Sequence, residues 1–215
     1  MPCIDTGRVS LFFEDAGSGG VPVLLLHELG GSSESWREVM PLLATDRRVI
    51  AVDMRCAGRS EKPSGPFSLE DVADDLSELL EALNLTGPVD VIGAALGSLA
   101  GASLAIRHPD RVRRLIMCAV APDMVGPTRI YLAERAKKVR LVGMRGMAEA
   151  SLANSFPASH PAERAASATA RHAMRSRSFS GRTTMWSWIA SRPASVPTTR
   201  RITSRRPMAP SPSGC

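Results

Sequence analysis

Leucine stops at residue 152. The stretch from Ser155 to Cys215 contains none, whereas the residues before it hold 20, a density that would put roughly eight in the tail if composition were uniform. The same stretch has no Lys, Asp or Asn and consists largely of Arg, Ser, Ala, Pro and Thr, as in RSRSFSGR and SRPASVPTTRRITSRRPMAPSPS. Such an alphabet cannot build a core of its own, so the globular part is expected to end near residue 155. Arginine without lysine is also what a GC-rich gene gives when read out of frame. The alternative is a genuine basic tail.

Other absences narrow the class. Cys3, Cys56, Cys118 and Cys215 show no C-x-x-C spacing, which argues against a zinc site and against a disulfide framework. No metal and no cofactor are expected, and a reducing, cytoplasmic setting fits. The longest apolar run, Leu115 to Ala121, is far too short to span a bilayer, and the acidic start of the chain is no signal peptide. No membrane partner is expected. The formal net charge of +6 resembles a nucleic-acid signal until it is divided: the stretch from residue 155 onward carries +9 and the remainder −3. Trp186 and Trp188 among the arginines could stack on bases, but with no folded module beneath them nucleic acid is not the favoured partner.

What is present alternates. Val9-Ser-Leu-Phe-Phe13 reads as a short strand, and Val21 to Leu26 is continuously apolar, as a strand buried on both faces must be. A Gly-rich loop, His27-Glu-Leu-Gly-Gly31, follows. Ser33 to Ala44 has helical spacing, Arg48 to Asp53 is another buried strand, and Gly58 to Pro63 is a turn. Ser68, with Asp71 in capping-box position, opens an amphipathic helix along Leu69, Val72, Ala73, Leu76, Leu79, Leu80 and Leu83. Val89 to Gly93 is a strand leading into a helix of small residues from Leu96 to Ala105. Arg114 to Val120 is one more strand, and Thr128 to Phe156 reads as helical. Strands alternating with helices predict a parallel, doubly wound α/β sheet in a single domain.

Chemistry in such a sheet sits at the carboxyl ends of the strands. Gly93-Ala-Ala-Leu-Gly97 lies on a strand-to-helix turn and has the glycines of the nucleophile elbow G-x-S-x-G, with the serine replaced by Ala95. Together with VPVLLLHELGG, RVIAVDMRCAGRSEKP and the Ser68 helix, this stretch resembles the α/β-hydrolase family, and within it the 3-oxoadipate enol-lactonases and related small esterases. The resemblance implies an incomplete α/β-hydrolase core over residues 1–126, the start of a helical cap over 127–157, and an irregular basic tail over 158–215. It places the nucleophile position at Ala95 and the oxyanion-hole amides at Leu29 and Leu96, with His27, Glu28, Gly30 and Gly31 forming the pocket loop.

Departures from the family pattern carry the functional expectation. The Ala95 methyl cannot attack a carbonyl. Glu28 stands where the family has glycine; if that position needs positive φ the glutamate is strained, and its carboxylate would oppose a developing oxyanion. Cys56, also at a family glycine, has no neighbouring base and reads as a loop thiol. Asp123 is a candidate acid just past a strand end, set against a plain loop aspartate. His160 and His172 come too early for the family's histidine, Ser98 reads as a packed hydroxyl, and His27 as a loop-orienting residue. The resulting expectation is a protein of ester- or lactone-hydrolase ancestry that is inactive in hydrolysis. The alternatives are a non-hydrolytic binding protein for an ester- or lactone-like small molecule, or a lyase- or isomerase-type catalyst. If the tail is foreign, the strand ending at Val120 becomes an exposed apolar edge.

Overall fold

The computed structural model describes residues 3–120 and 126–155, with side chains as far as residue 143. Six strands, β1 (Cys3–Asp5), β2 (Ser10–Ala16), β3 (Val23–Leu26), β4 (Val49–Val52), β5 (Val89–Ala94) and β6 (Val112–Cys118), form one sheet in the order β1-β2-β4-β3-β5-β6. β4, β3, β5 and β6 run parallel, as the alternation of apolar strands with helices predicts. The sheet is nevertheless mixed, because β1 and β2 pair antiparallel at its other edge. The short connection between β1 and β2 accounts for their own pairing, since a parallel crossover needs a dozen or more residues, and β2 in turn runs antiparallel to β4.

The central strands β3 and β4 are buried on both faces, and their side chains alternate between them. Leu24, Leu26, Ile50, Val52 and Val91 pack on one face with α2 (Leu69–Ala82) and α3 (Leu96–Arg107), whereas Val23, Leu25, Val49 and Ala51 pack on the other with Trp36, Met40 and Leu43. The capping box that opens α2 is complete. The Asp71 amide donates to Ser68 Oγ at 3.1 Å and the Ser68 amide to Asp71 Oδ2 at 2.7 Å. α3 can lie close on the sheet because Gly101 has no side chain; a Cβ there would come within 3.0 Å of Val91 Cγ1.

Three local expectations change. The helix expected over residues 33–44 is instead a 3-10 turn, Ser33–Trp36, and a short α1, Met40–Leu43. Pro41 is the reason, because it lacks an N–H to bond the preceding turn and is accommodated only where a helix begins. The last strand stops at Cys118 rather than Val120, with Ala119 turning to φ 52. The long helix α4 (Gly126–Ser155) is interrupted at Gly143, whose φ of 72 and ψ of 171 are not helical.

Among the described residues β6 is the outermost strand, and Ile116 and Met117 are 54% and 47% exposed.

One buried ion pair ties the loop after β4 to α2. Arg55, three residues past β4, meets Asp75 through two parallel N–H···O bonds, and Asp75 is 1% exposed. Burial pushes the Asp75 carboxyl above its usual range even with the guanidinium against it. Burial also draws Arg55 down, but the bond to Asp75 outweighs it and keeps the guanidinium charged. Removing one partner strands the other charge inside the protein, so Asp75→Ala is expected to lower the unfolding free energy by about 3–5 kcal/mol. Urea denaturation followed by circular dichroism measures this directly.

Candidate functional site

Three loops meet beyond the carboxyl ends of β3, β4 and β5. The first is held by His27, which is fully buried. The Met54 amide donates to His27 Nε2 at 3.2 Å, so the ring proton resides on Nδ1 and is donated to the Glu28 carbonyl at 2.7 Å. Both ring nitrogens are thereby engaged in joining the β3 loop to the β4 loop. That is the loop-orienting role read from the sequence.

Asp53, the residue after β4, does similar work, though its place at the end of an apolar run does not mark it as a site residue. Its carboxylate accepts the Ser33 amide at 2.5 Å and the Arg59 amide at 2.7 Å. A Cβ on Gly58, which sits at φ 45, would overlap that carboxylate. The G-R-S turn five residues downstream of an aspartate at a strand end was the available signal.

The elbow is built by close backbone contact. A Cβ on Gly93 would lie 2.5 Å from the Gly97 carbonyl group and the Ser98 amide, and one on Gly97 would lie 2.8 Å from the His27 carbonyl oxygen. Glycine at both positions lets β5 turn straight into α3. Ala95, between them, takes φ 47 and ψ −105, and its amide donates to the Cys118 carbonyl at 2.8 Å. The residue at the tip of the elbow therefore carries a strained backbone and presents only a methyl group. Leu96 is the first residue of α3, where the N–H has no acceptor within the helix, and Gly30 in the facing loop takes φ 82. Ser98 Oγ is fully buried and bonds the Gly93 and Cys118 carbonyls at 2.8 and 3.0 Å. It is a packed hydroxyl that fastens β5 to β6. Beneath Leu96 lies an apolar recess of about 10 Å³ between Met54, Phe67, Val72 and Ala100, room for about one water.

Glu28 corrects an expectation. Its backbone is not among the left-handed residues, so the glutamate is not strained there. Its carboxylate folds back over Gly31, where a Cβ would lie 2.6 Å from Glu28 Cδ, and accepts a hydrogen bond from Ser35 Oγ at 3.0 Å. The position that does need a left-handed backbone is Cys56, at φ 63. Its side chain is buried, and burial pushes the thiol above its ordinary range despite the nearby charges of Arg55 and Lys62. It is an inert loop thiol. Asp123, His160 and His172 lie outside the described residues. No group of three or more His, Cys, Asp or Glu positioned to hold a metal occurs among the described residues, and no described helix is long and apolar enough to cross a membrane.

Two outcomes follow from this geometry. Ala95→Gly relieves a backbone conformation that costs a side-chain-bearing residue about 1–3 kcal/mol, and after the greater freedom of glycine in the unfolded chain is subtracted, a net gain of about 1 kcal/mol is expected. Differential scanning calorimetry would register it as a raised Tm. At pH 8, iodoacetamide should modify exposed Cys3 at least about tenfold faster than Cys56, read by peptide mass spectrometry.

Comparison with known proteins agrees with the architecture. Residues 21–192 match the model of the alpha/beta hydrolase fold, a span that crosses the compositional break near residue 155. The 2-hydroxy-6-oxo-6-(2'-aminophenyl)hexa-2,4-dienoic acid hydrolase of Metapseudomonas resinovorans is 32% identical over 121 residues, which are 55% of this chain and 41% of that protein. The 2-hydroxymuconate semialdehyde hydrolase of Pseudomonas sp. (strain CF600) is 40% identical over 111 residues, 50% of this chain and 38% of that one. The chain thus spans about two-fifths of the length of these relatives. The crystal structure of the enol-lactonase from Burkholderia xenovorans LB400 superimposes with a TM-score of 0.74 at 28% identity, covering 88% of this chain and 70% of that one. On the family match, the sheet order and the elbow between Gly93 and Gly97, this chain belongs to the α/β-hydrolase fold family.

Proposed function

We propose that this chain descends from an ester or lactone hydrolase and does not itself hydrolyse substrate through an acyl-enzyme. The observation that carries the reading is Ala95: the residue at the tip of the elbow, in a nucleophile's backbone conformation, ends in a methyl group. Removing the nucleophile of such a site leaves only the residual rate supplied by binding and oxyanion stabilisation. Two further features support it. His27, the one histidine beside the elbow loops among the described residues, has both ring nitrogens engaged, so it has no lone pair to accept a proton from a nucleophile or water. Glu28 adds a carboxylate to the loop that includes Leu29, where negative charge opposes an oxyanion.

In this reading the amides of Leu96 and Leu29, with Gly30 and Gly31 keeping the loop open, still mark the place where a carbonyl oxygen of a small ester- or lactone-like ligand would rest. No cofactor is required. Similar proteins include a 2-hydroxy-6-oxo-6-(2'-aminophenyl)hexa-2,4-dienoic acid hydrolase and an enol-lactonase, and an ester- or lactone-like carbonyl is what the inherited loop would accept. The free thiols of Cys3, Cys56 and Cys118 fit a reducing, cytoplasmic setting.

The test is hydrolysis of p-nitrophenyl acetate and of a small lactone by the full chain, alongside Ala95→Ser. The wild type is expected to show neither a burst nor turnover above buffer and to remain unlabelled by a fluorophosphonate probe. Burst kinetics or a covalent adduct on the wild type would sink the reading. Activity or labelling that appears only in Ala95→Ser would leave it standing and add that the loop still forms an oxyanion site.

A further inference from the structure

We propose that the turn beside the elbow selects a small ester or lactone carrying a protonated primary amine next to its carbonyl, with Glu28 and Ser32 taking the ammonium group. This deepens the reading above and rests on its carbonyl site at the Leu29 and Leu96 amides. Residues 28–31 form a β-turn: the Gly31 amide donates to the Glu28 carbonyl at 3.0 Å, and Gly30, at φ 82, stands where a type II turn requires a left-handed backbone. Closing the turn sets its first residue against its last, which is why the Glu28 carboxylate lies over Gly31. The turn's own hydrogen bond uses the amide of Gly31, so the Leu29 amide stays outside it. The amide offered to a ligand carbonyl and the carboxylate therefore belong to the same turn.

Glu28 lacks a counter-ion. Ser35 Oγ donates to its Oε1 at 3.0 Å, and among the described residues no Lys, Arg or His pairs with the carboxylate. The neighbouring carboxylates are compensated: Glu34 meets Arg37 at 3.3 Å and Arg59 at 3.8 Å, and Asp53 receives the amides of Ser33 and Arg59. Ser32 supplies an independent observation. It is 4% exposed, it stands at the N-cap of the Ser33–Trp36 turn without capping it, and its hydroxyl has no hydrogen-bond partner. A buried hydroxyl left unpaired is an exception in proteins and points to a partner that the chain does not supply. The carboxylate lies over Gly31 and the hydroxyl belongs to the next residue. A primary ammonium suits both, since it carries positive charge and N–H donors, whereas a methyl group in its place suits neither. Bound there, it would also cancel the charge that opposes negative charge on the carbonyl oxygen at the same turn.

Chemical-shift titration of the full chain by proton–nitrogen NMR tests this, at about pH 6.5, where an α-amino group is protonated. The probes are alanine methyl ester and methyl isobutyrate, its isostere with methyl in place of ammonium. The amides of Leu29, Gly30 and Gly31 are expected to shift in both titrations, with the Kd of alanine methyl ester about tenfold the lower. Glu28→Gln keeps an acceptor for Ser35 and is expected to bring the two Kd values together. Ser32→Ala is expected to weaken alanine methyl ester about threefold and to leave methyl isobutyrate unchanged. Equal Kd values in the wild type, a preference that survives Glu28→Gln, or no effect of Ser32→Ala would overturn the proposal. Loss of both ligands on Glu28→Gln would also overturn it, because the carboxylate would then be a support of the turn. Binding of neither ester to the wild type would overturn it together with the carbonyl site. Methanol released from either ester by the wild type would instead count against the non-hydrolytic reading, and the Kd ratio would still decide the amine preference.

Discussion

The passage of the backbone from β5 to α3 within a single residue is the constraint around which the rest of this structure is arranged. Gly93 lies against the backbone of Gly97 and Ser98, and Gly97 against that of Leu26 and His27, at distances that leave no room for a side chain, and Ala95 between them takes φ 47. Because the turn is so tight, α3 begins directly over the end of the sheet, Gly101 descends onto Val91 and Leu115, and Ser98 spans the carbonyls of Gly93 and Cys118. The position of β6 is thus set through α3 as well as through its ladder with β5.

Apolar burial drives this assembly, at about 25 cal/mol for each Å² removed from water, but it is non-directional and does not aim the loops. Buried polar groups do that. His27 joins the loops after β3 and β4, Asp53 receives amides from both, and Arg55 carries the second loop onto α2 at Asp75. Each of these groups would cost about 1–3 kcal/mol if left unsatisfied inside the protein, so the loop conformations that satisfy them all at once are few. The groups that hold the loops are separate from Ala95 at the tip of the elbow.

Much of this was legible in the residues. Unbroken apolar runs gave β3 and β4, where both faces are covered, and Ser68 with Asp71 gave the start of α2 to the residue. The elbow was readable without its serine because the glycines at 93 and 97 answer to backbone contact rather than to chemistry. What was not legible depended on facts local pattern does not hold. The antiparallel pairing of β1 and β2 is a matter of connection, and the break at Pro41 outweighed an otherwise helical spacing. Asp53 looked like any aspartate after a strand, since its importance lies in amides 20 residues upstream and 6 downstream. For the two replaced glycines, the sequence could say that both were substituted but not which of them needed left-handed backbone: position 56 does, and position 28 does not.

The carboxylate of Glu28 fills the space that a Cβ on residue 31 would require. The two positions are therefore epistatic. With glutamate at 28, no residue but glycine fits at 31 unless the Glu28 side chain moves and gives up Ser35, whereas a small residue at 28 would free position 31 to vary. Substitutions in this loop have a permitted order, with position 28 changing first, and among descendants of this chain the two sites should be found to covary.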